Sequence, residues 1–284
     1  MSFFFAAPCT MLGIPCVASF HTDLQLLGKA VNTVWIALWA AYYKEQVDTV
    51  LYDSCATTSP SFQKKLEKQG VPCEYVLGTA VDVEMFHPSK FSLEKRSELT
   101  KGDTDGLLCV FVGRLSPEKK IGFMYEVLKQ VDNAYFAVIG DGLEAEKWAA
   151  EADVPGSRMY CKPGFLTHDE LAVVYASADL HVSASEFETL GNTVLESHAC
   201  GTPVVVTNAQ GFCNTVEHGV DGYLFKAGDA EDAIAYLTEL RDNRTKLRAM
   251  GERGRQKMVE QHTVQAVVAD MVTWYEKGID NFAN

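Results

Sequence analysis

An α/β fold, with a parallel sheet wrapped by helices, is what three features of this 284-residue chain predict. From Leu107 onward, short β-rich runs alternate with helical stretches, the order of elements that a parallel sheet requires. The strand runs are continuously apolar or β-branched rather than alternating, as in strands covered on both faces. Glycine and proline punctuate the helices, for instance Gly201 and Pro203 after the stretch from Asn192 to Cys200.

Each element has its own warrant. Strands are predicted over Leu107 to Val112, Ala134 to Ile139, Arg158 to Cys161, Asp179 to Ser183, Pro203 to Val206 and Tyr223 to Phe225. Thr167-His-Asp-Glu170 is a capping box, in which threonine and glutamate side chains each accept from the other's backbone N–H, and it opens a helix through Ala176. Gly228-Asp229 precedes a helix to about Arg241, and helical patterns run from Asn243 to Gly278. Residues 89–106 are polar and glycine-containing and read as a linker. The expected organisation is an N-terminal part over 1–88, that linker, a second domain over 107–262 and a C-terminal helix over 263–284.

Composition excludes several classes. A formal charge of -13 argues against nucleic acid, and Lys64, Lys65 and Lys68 read as a solvated helix face. Eight cysteines occur with no Cys-x-x-Cys spacing, several inside apolar runs such as Leu108 to Val112, so they read as buried reduced thiols and not as a zinc site. Met1 to Phe20 is apolar, but no Lys or Arg precedes Lys29, and Pro8, Gly13 and Pro15 interrupt it. Leu12 to Phe20 reads as a helix end, a turn and a buried strand, and the stretch is not expected to be a signal peptide. Val31 to Tyr43 is too short to span a bilayer. Its Trp35 and Trp39 share one helix face, which leaves two readings open: core packing, or an interfacial face in peripheral contact with a membrane. Asp103-Thr-Asp105 reads as loop chemistry, so no metal is expected, and Gly140-Asp-Gly142 lacks the third glycine of a dinucleotide fingerprint, so no cofactor is expected.

The chemistry gathers around Glu188 and Glu196, two carboxylates flanking a helix start at Gly191. Free N–H groups at a helix start favour an anion, and flanking carboxylates accept from hydroxyls. A sugar diphosphate offers both partners. Arg114 and Lys119 follow the first strand of the second domain, where open α/β sheets bind anions; for both cations a surface ion pair, with Glu118 for instance, is the plainer alternative. For the two glutamates the plainer roles are a helix cap for Glu188 and a solvated helix acid for Glu196, and Glu186 reads as a loop acid that could stand in for Glu188.

Glu188, seven residues, Glu196 and then Ala199-Cys-Gly-Thr-Pro-Val-Val205 resemble the E-x7-E motif of the family 4 retaining glycosyltransferases. Val112-Gly113-Arg114 through Lys119 resembles that family's phosphate-binding loop, Val138 to Gly142 its next strand end, and Phe20-His21-Thr-Asp23 its acceptor-side histidine loop. The resemblance implies a GT-B architecture of two Rossmann-like domains, the N-terminal one incomplete here, with the last helix crossing back to it. It implies transfer of a hexose from a nucleotide diphosphate sugar to a lipid or other hydroxyl acceptor, with retention and without a metal or cofactor. Arg114 and Lys119 would hold the diphosphate, Glu196 the ribose hydroxyls and Glu188 the sugar ring. His21 would lie near the transferred sugar, and Gly113, Phe165, Leu190 and Gly191 would complete the donor site; Phe165 could equally be core.

Within the family the likeness is greatest to sulfoquinovosyl- and other glycolipid-forming transferases, from Ser185-Glu-Phe-Glu-Thr-Leu-Gly191, Tyr175-Ala-Ser-Ala-Asp179 and a loop lysine not followed by glycine. That reading implies a UDP-sugar donor, UDP-sulfoquinovose or UDP-glucose, and a cytoplasmic or plastid-stromal place beside a membrane. GDP-mannose-dependent mannosyltransferases share most of these features, and a non-catalytic nucleotide-sugar-binding remnant or a sugar epimerase are readings of other classes. Two positions depart from the family pattern. Lys120 stands where glycine is common, and Gly78-Thr-Ala80-Val-Asp82 replaces the usual Asn-Gly-Val-Asp hinge.

Overall fold

The computed structural model describes residues 12, 14, 16–20, 54–68, 73–186, 188, 191–209 and 211–283. The chain divides into two compact units, residues 1–80 with 264–284, and Val81–Thr263.

In the first unit, β1 (Val17–Phe20), β2 (Ser54–Thr57) and β3 (Tyr75–Val76) form a parallel sheet in that order. Helix α1 (Pro60–Lys68) buries Phe62 and Leu66 with Cys55 and Cys73 and turns Lys64 and Lys68 outward. The final helix of the chain, over Val264–Ala283, belongs to this unit, where Trp274 packs with Ala56 and Leu77 and donates from Nε1 to Ser54 Oγ at 2.8 Å.

The second unit opens with α2 (Leu93–Leu99), followed by β4 (Leu107–Val112), α3 (Ile121–Lys129), β5 (Ala134–Gly140), α4 (Ala145–Ala152), β6 (Met159–Pro163), α5 (His168–Ser177) and β7 (Leu180–Ser183). It continues with α6 (Asn192–Ala199), β8 (Val204–Thr207), α7 (Phe212–Thr215), β9 (Gly222–Phe225), α8 (Ala230–Asp242) and α9 (Arg244–Gln261). Its six strands are all parallel, in the order β6-β5-β4-β7-β8-β9. Counted from β4, that is the doubly wound order 3-2-1-4-5-6, and the direction of winding reverses between β4 and β7.

Strand β4 shows why its sequence is apolar throughout. Leu107, Cys109 and Phe111 face a core shared with α3, α4 and α8, while Leu108 and Val110 face a second core with Tyr175, Leu195 and Met258. The capping box forms as the sequence predicts: Thr167 N donates to Glu170 Oε2 at 2.7 Å and Glu170 N to Thr167 Oγ1 at 3.3 Å.

Residues 89–106 are not a linker. They carry α2 and lie inside the second unit, whose boundary falls between Ala80 and Val81. The reason is Arg96, a buried guanidinium whose donors reach Thr104 O, Gly106 O, Ser177 O and the Asp179 carboxylate, all within 3.0 Å. A polar composition is mistaken for mobility when one arginine satisfies so many carbonyls. Asp103 is used likewise, its carboxylate accepting from Asp105 N, Gly106 N and Tyr135 OH. At the unit boundary Asp82 Oδ1 accepts from Glu84 N and Met85 N, a turn that Ala80 does not prevent.

Two histidines are buried in the second unit. His181 Nδ1 lies 3.1 Å from Val110 O and His198 Nε2 lies 3.0 Å from Asp221 O. Carbonyls only accept, so these nitrogens carry the protons, and His181 Nε2 and His198 Nδ1 are left as buried lone pairs without a partner. Burial pushes His181 down to about 3 and His198 down to about 4, which keeps both rings neutral.

Unfolding releases both rings to bind protons near their ordinary value. Stability is therefore whole above about pH 6.5 and is lost as pH falls toward about 4, by ~2 kcal/mol per histidine at about pH 5. Melting curves at neutral pH and about pH 5 will show the loss, and His198→Gln, whose amide can still donate to Asp221 O, will shrink it; an unchanged loss would exclude the buried ring as its cause. Packing of α9 on the turn after α6 gives a second expectation, because a Cβ on Gly251 would stand 2.0 Å from Gly201 O. Gly251→Ala should lower stability by ~1–3 kcal/mol, read as a fall in melting temperature, whereas an unchanged temperature would mean that α9 can shift freely.

Candidate functional site

Two loops leave the carboxyl ends of β4 and β7, the place where reversed winding opens a crevice. The first, Gly113 to Lys120, contains a 3-10 turn over Pro117–Lys119; the second runs from Ala184 to Gly191. They meet through two ion pairs, Lys119 with Glu188 and Lys120 with Glu186. Lys119 and Glu188 keep 18% and 25% of their side-chain exposure, so this pair is partly sheltered from screening. The Glu188 carbonyl accepts from Gly211 N at 2.8 Å, which holds the second loop from its far side.

Arg114 is exposed and has no partner among the described residues. The ion pair with Glu118 is not formed; Glu118 accepts instead from Ser116 Oγ at 2.5 Å. Glu188 is likewise not a helix cap, since its carboxylate meets Lys119 and the residue at the start of α6 is Gly191. That glycine has φ 84° and ψ 65°, and a Cβ there would stand 2.8 Å from the Phe212 ring. Only glycine fits both the backbone conformation and the space.

Glu196 lies on the second turn of α6, partly buried, and is not a solvated acid. Burial raises its carboxyl above the ordinary range, and the hydrogen bond from Tyr175 OH, at 3.1 Å, works against that rise. Tyr175 is fully buried, and its carbonyl accepts from Thr202 Oγ1 at 2.7 Å, so the tyrosine is fixed at both ends. The result is an oriented hydrogen-bond acceptor beside a helix N-terminus.

Lys120 caps α3 with φ 51° and ψ 40°, the left-handed region where a non-glycine side chain costs ~1 kcal/mol or more. Phe165 is 90% exposed, so the core reading is wrong for it. Gly113 closes β4, donating to Ile139 O at 3.0 Å. His21, Leu190 and the Trp35/Trp39 stretch lie outside the described residues. Sequence reasoning missed Tyr175 as the partner of Glu196 and the pairing of Lys120 with Glu186. No spacing rule links residues 21 or 66 positions apart in the chain, and only packing reveals them.

A cavity of about 580 Å3 lies elsewhere, at the amino edge of the same sheet between Arg96, Asp179, Thr202 and Arg255. Two of its arginines are engaged at helix ends: Arg96 reaches Ser177 O at the end of α5, and Arg255 reaches Ala199 O at the end of α6. Cations there complement helix carboxyl ends. Among the described residues, no three His, Cys, Asp or Glu side chains are placed to hold a metal ion, and no helix is long and apolar enough to cross a membrane.

Comparison with known proteins matches residues 93–257 to the family described as glycosyl transferases group 1. A sulfoquinovosyl transferase of Arabidopsis thaliana is 32% identical over 256 residues, covering 87% of this chain and 49% of that one. A GDP-mannose-dependent alpha-mannosyltransferase of Corynebacterium glutamicum is 28% identical, covering 80% and 53%. The chain thus spans about half the length of these relatives. Among solved structures, Anabaena HepE in complex with UDP and glucose superposes with a TM-score of 0.79 at 19% identity, covering 96% of this chain and 75% of that one. Sucrose-phosphate synthase of Thermosynechococcus elongatus gives 0.79 at 20% identity, covering 93% and 68%. The fold they share with this chain is GT-B. With the family's model matched from α2 through most of α9, this chain belongs to the group 1 glycosyl transferases.

Proposed function

We propose that this chain carries the donor site of a retaining hexosyltransferase that uses a UDP-sugar and delivers the sugar to a lipid hydroxyl beside a membrane. The observation that carries the reading is the meeting of Lys119 with Glu188 at the β4/β7 crevice, next to a Glu196 oriented by Tyr175. Arg114 and Lys119 hold the diphosphate, and with the N-terminus of α6 they stabilise charge on the leaving group; this supplies the needed positive charge without a metal. Glu196 accepts from the ribose hydroxyls and Glu188 from the sugar ring. Phe165, exposed just after β6, lines the base. Binding then exchanges partners, because Lys119 leaves Glu188 for phosphate and frees that carboxylate for hydroxyls.

Support for the UDP-sugar is that HepE was solved with UDP and glucose and with UDP-glucose, and support for the lipid acceptor is the likeness to an alpha-monoglucosyldiacylglycerol synthase of Acholeplasma laidlawii, 27% identical over 176 residues. A second reading, GDP-mannose as donor, is favoured by the mannosyltransferase relatives.

Calorimetric titration of the chain with UDP and with GDP separates the two. UDP is expected to bind, and Glu196→Ala to weaken it by ~1.5–3 kcal/mol, about 10- to 100-fold, the worth of a hydrogen bond to a charged group. A preference for GDP would favour the mannosyl reading, and binding of neither would overturn the donor site. The pH dependence tests the role of Glu196 separately. Tyr175 OH favours the ionised carboxylate, so Tyr175→Phe will let Glu196 protonate at higher pH. Loss of UDP affinity on acidification should then begin at higher pH than in the parent chain; an unmoved profile would mean that the charge of Glu196 is not what binds.

A further inference from the structure

Lys120 has no backbone reason to be a lysine. It sits in the left-handed region, makes no side-chain cap bond for α3, and would be replaced there by glycine at lower conformational cost. A strained non-glycine residue in a binding crevice is retained for its side chain. The Lys120 ammonium meets Glu186, a third carboxylate, two residues before the Glu188 that Lys119 holds. The crevice therefore presents three cations, Arg114, Lys119 and Lys120, where the diphosphate of a donor engages two.

We propose that Lys120 is a specificity-determining residue that reads an anionic substituent, a sulfonate or a carboxylate, on the donor sugar. The inference rests on the donor-site reading above and deepens it. Glu188 faces the sugar ring in that reading, and Glu186 lies in the same loop, so the Lys120 ammonium stands on the sugar side of the crevice. Glu186 is its partner here. The two side chains keep 38% and 32% exposure, an open and weakly held pair that an incoming anion can replace. A sulfonate or carboxylate offers the same kind of oxygen acceptors as Glu186 and makes the same charge-assisted hydrogen bond. A neutral hexose leaves the pair as it is and gains nothing from Lys120. Selectivity arises because a neutral sugar cannot displace Glu186, while an anionic one can.

The test titrates the full chain with UDP, UDP-glucose, UDP-glucuronate and UDP-sulfoquinovose and compares ratios of dissociation constants, which cancels any general loosening of the loop. The parent chain is expected to prefer at least one anionic sugar over UDP-glucose by about tenfold, the scale of one charge-assisted contact. Lys120→Gly should collapse that ratio to about one, Lys120→Arg should keep it, and Glu186→Gln should raise it by removing the competing carboxylate. The two anionic donors tell carboxylate from sulfonate recognition, and preference for either that vanishes with Lys120 supports the assignment. An absent preference, or one that survives in Lys120→Gly, overturns it while leaving the donor site standing. Failure to bind UDP itself overturns the donor site and this assignment together.

Discussion

The reversal of winding between β4 and β7 is the constraint on which the rest of the second unit depends. Strands wound in opposite directions from a common pair send their following helices to opposite faces of the sheet, so the loops at their carboxyl ends part and leave a crevice. Here those loops carry a run of lysines on one side and a run of glutamates on the other. Opposite charges facing across a gap draw the loops together. The crevice is bridged by two ion pairs that are at most partly buried.

At the opposite edge of the sheet the charges are arranged for permanence. Asp179 receives Arg96 at 2.7 Å, Arg244 at 2.9 Å and the Leu108 amide at 2.8 Å, so one carboxylate joins α2, α9 and the beginning of β4. Arg255 spends one nitrogen on the carbonyls of Val83, Phe86 and Ala199. Partly buried charges satisfied this fully are strongly destabilising to break, since removal of one partner leaves the other desolvated and alone. The amino edge is therefore a lock, and the carboxyl edge carries the candidate site. The two are joined through α5 and α6, whose ends are held at the lock while Tyr175 and Glu196 on the same helices face each other near the site.

Much of this was legible in the chain. All six strands of the second unit fall within a residue or two of the runs that predict them, most closely at central strands such as β4, whose burial on both faces requires apolar residues throughout, and less so at the edge strand β6, which ends on the exposed Lys162 and Pro163. The capping box at Thr167 is a local contract between residues three apart and needs no tertiary information. Residues 89–106 were misread for the opposite reason. Their polarity is spent on partners such as Ser177 and Asp179, far away in sequence, and a composition rule sees the donors but not the acceptors. Phe165 shows the converse, an aromatic whose exposure nothing in its neighbours announces.

By itself the sequence determined which residue types stand at each strand end, since motif spacing and helix-stop signals are properties of neighbours along the chain. It placed Arg114, Lys119, Glu188 and Glu196 on loops and a helix start that a sheet must gather. Only the tertiary structure decided who meets whom: Lys119 with Glu188, Lys120 with Glu186, Tyr175 with Glu196. Those pairings depend on strand order and on the path of loops across a crevice. Both are set by the packing of both sheet faces at once, which no local spacing encodes.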